Sequence, residues 1–114
     1  MKSEKIILDF DNKKKIEIEA KPVGAFSYGL MFRTKNTSNL IFKFNREINL
    51  KITGLFVFFP FVAIWLDSDG KVIEARKIRP FTFSALPAKP FSTLVEIPIN
   101  HGNMKILDEI ERFK

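Results

Sequence analysis

The chain has 114 residues, room for one hydrophobic core but not two, so a single domain over 1–114 is expected. With 46% hydrophobic and 28% charged residues it is excluded from the disordered class, and the absence of cysteine excludes disulfide staples, a thiol nucleophile and thiolate metal sites, pointing to a cytoplasmic setting. The net charge of +6 comes mainly from residues 1–51, where eleven Lys and Arg meet six Asp and Glu; it keeps a chain with thirteen Phe soluble and favours anionic partners only weakly.

The opening MKSEKIILDFDN lacks the apolar run of an export signal, because Asp9 and Asp11 interrupt it. Ile6, Leu8 and Phe10, then Ile16, Ile18 and Ala20, alternate with polar residues, and Asp11 to Lys14 between them have turn chemistry. The spacing predicts a hairpin of Lys5–Phe10 and Lys15–Ala20. Pro22 to Arg33 alternates poorly, and one helical turn is expected over Ala25–Phe32. A polar loop, Thr34 to Asn39, precedes a short strand on Leu40, Phe42 and Phe44.

Leu50–Phe59 and Phe61–Leu66 are apolar on both parities, the pattern of strands covered on both faces, with Gly54 and Pro60 as bulge or edge points. The apolar run from Leu55 to Leu66 is too short for a membrane-spanning helix, which needs roughly 20 residues, and Pro60 breaks it. Asp67-Ser68-Asp69-Gly70 is a hairpin turn leading into a returning strand over Lys71–Ile78. Pro80, Pro87 and Pro90 make Arg79–Pro90 an extended loop; Ser92–Ile99 is a further strand. From Asn103, Met104, Leu107, Ile110 and Phe113 recur at helical spacing. About seven strands and a C-terminal helix give a mainly β fold, a small sandwich or barrel with one or two short helices.

Three stretches in order, Gly29-Leu30-Met31-Phe32-Arg33, Leu55–Asp67 with Asp69-Gly70, and Leu94-Val95-Glu96-Ile97-Pro98, resemble the family known as domain of unknown function 192. The resemblance implies a jelly-roll-like, mostly β domain. It departs where many members have an aspartate after the proline, since Phe61-Val62 follows Pro60 here.

Candidate chemistry is sparse. His101 has no second His or Cys to make an imidazole metal site, and neither Ser84 nor Ser92 lies in a nucleophile elbow. Asp67-x-Asp69-Gly70 resembles the start of a calcium loop, yet Glu74 comes too early to be its bidentate ligand. The glycines around Gly24 and Gly29 lack the spacing of a phosphate-binding loop. No catalytic, metal or cofactor site is therefore expected.

Arg33 stands beside an apolar patch, placed to pair with a carboxylate or hold an anionic ligand. Arg76-Lys77-Ile78-Arg79-Pro80-Phe81-Thr82-Phe83 interleaves cations with rings, as a single-stranded nucleic acid site does. The candidate contact residues are Arg33, Lys77, Arg79, Phe81 and Phe83. Thirteen Phe in so small a chain predict an exposed apolar remnant around Phe56–Phe61 or Phe81–Phe91. The expected function is a non-enzymatic binding or interaction domain for a small ligand or a protein, with single-stranded nucleic acid binding through Arg76–Phe83 as the alternative.

Overall fold

The N-terminal hairpin follows its sequence alternation. In the computed structural model, which describes residues 3–11, 14–24, 29–30, 33–52, 57–82 and 84–114, strand β1 (Glu4–Asp9) pairs antiparallel with β2 (Lys15–Pro22). Every second residue of β2, Ile16, Ile18 and Ala20, is buried, and the intervening Glu17 reaches Lys5 at 3.5 Å on the wet face. The turn closes through a Phe10 N–H donated to the Lys14 carbonyl at 2.8 Å, with Asp11 at φ 75°, a backbone conformation that Asp tolerates.

Four further strands follow: β3 (Leu40–Ile48), β4 (Phe61–Leu66), β5 (Val72–Ile78) and β6 (Phe91–Pro98). They join the hairpin in one six-stranded sheet of order β1-β2-β3-β6-β4-β5. The β2–β3 contact is parallel and short, Lys21 opposite Leu40 and Pro22 opposite Ile41; Asn39 reinforces it by donating Nδ2–H to the Glu19 carbonyl at 3.0 Å. A bridge between Asp9 and Lys71 links the two edge strands, so the sheet curls toward a half-barrel. Of the sandwich and barrel alternatives, the curled sheet is realised.

β6 lies between β3 and β4, and seven of its eight residues are buried. Its two faces meet different covers. Val95 and Ile97 join Leu8, Ile18, Ile41 and Ile64 inside the curl, under helix α1 (Met104–Phe113), whose Ile110 is buried there. Leu94 joins Leu40, Phe42, Phe61 and Trp65 on the other face, under Leu30, Val57, Phe59 and Ala85 from the loops.

The helix starts from a one-turn 3₁₀ helix (His101–Asn103), where Asn100 Oδ1 accepts the Asn103 N–H at 3.0 Å. Buried Asn103 in turn donates Nδ2–H to the Pro98 carbonyl at 2.8 Å and to Asn39 Oδ1 at 2.9 Å, tying the helix start to the loop before β3.

One expectation differs from this architecture, and another falls mostly outside the described residues. The described residues of Leu50–Phe59 lie outside the named strands: Ile52 makes an isolated bridge to Ala85, and Val57 to Phe59 form a loop laid over the sheet. An apolar segment covering a sheet buries residues without regard to parity, as a two-sided strand does, and the pattern does not separate the two cases. Among the described residues the strand count is six. The helical turn expected over Ala25–Phe32 lies outside the described residues apart from Gly29 and Leu30, which sit in a turn.

Candidate functional site

Two places in the fold carry groups that packing alone does not account for. The first is on β6. Antiparallel pairing puts Glu96 opposite Leu40 on one side and Ala63 on the other, so its carboxyl points into the loop-covered apolar face. Glu96 is 5% exposed, and its Oε1 has no hydrogen-bond partner among the described residues. Burial pushes the carboxyl up to about 7, against the Leu30 backbone N–H bonded to it and the Arg33 guanidinium nearby, both of which favour the ionised form.

The turn above is shaped to this carboxyl. Gly29 has φ +59°, and a Cβ there would lie 2.8 Å from Glu96 Oε1 and 3.1 Å from Phe42 Cζ, so both backbone and space select glycine. Half-buried Arg33 donates Nε–H to the Gly29 carbonyl at 2.8 Å and reaches Thr37 Oγ1 with Nη1 at 3.4 Å. Arg33 thus folds back over its own turn and lends positive potential to Glu96, a carboxyl on strand β6.

The second place is the loop layer over the same face. Phe58 and Phe81 are 60% and 58% exposed, and their rings meet edge to face with centroids 5.5 Å apart. Phe81 adopts φ 62°, a left-handed conformation strained for an aromatic residue, while its N–H donates to the Val57 carbonyl at 3.3 Å. Leu50 and Leu86, also exposed, flank the Ile52–Ala85 bridge in the same layer.

The structure separates the other candidate residues. Arg79 is exposed two positions before Phe81, but Lys77 pairs with Val62 and therefore leaves β5 on the helix-covered face. Phe83 lies outside the described residues. Arg76 lies over the Trp65 ring, 5.4 Å from its centroid, is paired with Glu74, and donates to the Leu86 carbonyl at 3.2 Å. Glu74 also accepts the Ala88 N–H at 3.3 Å, so this pair fastens the proline-rich loop to the sheet.

Asp67 serves its turn, accepting the N–H groups of Asp69 at 2.9 Å and Lys71 at 3.0 Å on Oδ1. His101 is exposed at the head of the 3₁₀ turn.

The model of the family domain of unknown function 192, described as an uncharacterized ACR, matches residues 7–107. The chain belongs to that family. No curated protein matches it. Among solved structures, the chain is similar to a protein of unknown function from Novosphingobium aromaticivorans DSM 12444, at 16% identity over 91% of this chain and 78% of that one, with a TM-score of 0.73. It is also similar to a protein described as a putative transcription regulator from Sinorhizobium meliloti 1021, at 18% identity over 94% and 87%, with a TM-score of 0.74. These likenesses show a shared fold.

Within this member of the family, two of the stretches that carried the resemblance converge in space. Gly29, Leu30 and Arg33 from one enclose Glu96 from the other. Glu96 escaped the residue-level reading, although a signal was present: it is the single charged side chain in Phe91–Pro98, on the parity of inward-facing Leu94. No helix among the described residues is long and apolar enough to cross a membrane.

Proposed function

We propose that this chain is a non-enzymatic binding module whose contact surface is the loop layer carrying Phe58 and Phe81. The observation that carries the reading is two adjacent rings, each more than half exposed, on loops already held in place by other contacts. Exposing that much apolar surface forgoes more than half of the about 1.5–3 kcal/mol that full burial of each Phe side chain brings. The left-handed φ of Phe81 adds backbone strain for a ring that fills no core position. Unfavourable exposure and strain at one surface are what a contact site retains. The proposal includes a cytoplasmic setting, supported by a chain without cysteine.

A catalytic reading finds less support. Glu96, whose perturbed carboxyl would be the group to recruit, is shut in by Gly29, Leu30 and Phe42, so a reacting atom has no approach to it. The test is native mass spectrometry of the tagged protein isolated gently from its host, compared with the Phe58→Ser/Phe81→Ser variant. A stoichiometric extra mass present with the wild type and absent with the variant is expected. Identical spectra from the two proteins would refute the reading.

A further inference from the structure

Resting on that reading of the surface, we infer that the partner of the Phe58–Phe81 loop layer is single-stranded nucleic acid, with bases stacked on the exposed rings and phosphates held by Lys51 and Arg79. The described parts of the layer, 49–52, 57–60, 79–82 and 84–87, contain these two cations and not one Asp or Glu. Lys51 and Arg79 are both exposed. Lys51 adjoins Ile52, whose N–H donates to the Ala85 carbonyl at 2.9 Å, and Arg79 adjoins the turn that presents Phe81. The carboxylates nearest in sequence to the two stretches, Glu47 and Glu74, are both engaged, Glu47 by the N–H and hydroxyl of Ser68 and Glu74 by Arg76 and the Ala88 N–H. Lys89 contributes nothing, because it borders a cavity shared with Asp11, Glu47 and Asp67.

The surface therefore offers apolar rings and positive charge, with no acid among its described residues. A partner with flat π faces and a repeating negative charge complements both features, and a nucleic acid strand carries both in every residue. A duplex does not, because its bases are stacked and out of reach of a ring, and the terminal helix α1 packs on the opposite face of the sheet through Ile110, away from the two rings. The chain's net charge of +6 would speed encounter with a polyanion.

The experiment is fluorescence anisotropy of a labelled mixed-sequence oligodeoxynucleotide of about 12 nucleotides, titrated with the wild type and three variants over a range of salt. Wild type is expected to bind at low salt with a log–log salt slope of about −1.4, from about −0.7 per neutralised phosphate on a single strand. Phe58→Ser/Phe81→Ser should weaken binding at least about tenfold by removing stacking. Lys51→Glu/Arg79→Glu should flatten the salt slope, whereas Lys77→Glu on the other face should shift affinity less than about threefold.

Thermal melts followed by circular dichroism establish that the variants fold, and the wild-type salt slope is independent of every variant. Absence of wild-type binding at low salt, or binding that survives both double variants, would overturn the inference. Binding to phosphatidylcholine/phosphatidylglycerol vesicles without binding to the oligonucleotide would overturn it in favour of a membrane surface. If the oligonucleotide is ignored while the ring variant still loses its co-purifying mass, the partner is wrong and the contact surface stands.

Discussion

Replacing Glu96 by Gln keeps the shape of the buried side chain and removes its proton equilibrium. In the folded chain the carboxyl titrates at about 7, against an ordinary value of 4.5. Below about pH 4.5 both the folded and unfolded chains hold the proton, and the group makes no difference. Between about 4.5 and about 7 the folded chain keeps its proton while the unfolded chain has released it, so stability falls as pH rises, by at most about 1.4 kcal/mol per pH unit. Above the folded value both states are ionised and the loss levels off at about 3 kcal/mol relative to acid, from 1.36 kcal/mol for each unit separating the two values.

The assay is urea unfolding at a series of pH values for wild type and Glu96→Gln, with the variant's curve subtracted so that other titrating groups cancel. The variant is expected to match the wild type near pH 4 and to exceed its stability by about 3 kcal/mol near pH 8. A difference curve that stays flat between about pH 4.5 and about 7, or that rises in the opposite direction, would show that water or an unrecognised donor satisfies the carboxylate and would refute the argument from burial.

Three further substitutions probe the same framework by thermal or urea unfolding. Gly29→Ala should cost about 2–3 kcal/mol, combining the left-handed φ with a Cβ 2.8 Å from Glu96 Oε1, whereas Gly70→Ala, at φ +82° with open space around it, should cost about 1 kcal/mol; equal costs would show that the close approach at Gly29 is not felt. Arg76→Ala should lose about 1–2 kcal/mol through the Trp65 ring, the Leu86 carbonyl and the partly exposed Glu74 pair, and should raise amide exchange in the loop at 84–90, measurable by hydrogen exchange mass spectrometry. Asn103→Ala should cost about 2 kcal/mol by leaving the buried Pro98 carbonyl and Asn39 Oδ1 without their donor.

Much of the architecture was legible from local pattern. The alternation in Lys15–Ala20 set which side of β2 is buried, the Asp-Ser-Asp-Gly turn fixed the β4–β5 hairpin, and the helical spacing from Met104 placed Ile110 under the sheet. Less of the site was legible. Phe81 and Arg79 were candidates, and their exposure bears on both proposals, but Phe58 and Lys51 lay in a stretch that pattern assigned to a strand. Lys77 was grouped with Arg79 as a contact residue, yet β5 ends at Ile78 and the chain then turns, so strand alternation does not carry from one to the other.

The division has one physical origin. Side-chain periodicity and turn chemistry are short-range properties, decided by residues a few positions apart, and the sequence by itself determined the hairpins, the terminal helix and the mainly β class from them. Which strand lies beside which, and what covers each face, is decided by burial between segments far apart in the chain. Only the tertiary structure placed β6 between β3 and β4 and brought Glu96 beneath Gly29 and beside Arg33, and with that enclosure came the carboxyl's shift toward neutral pH.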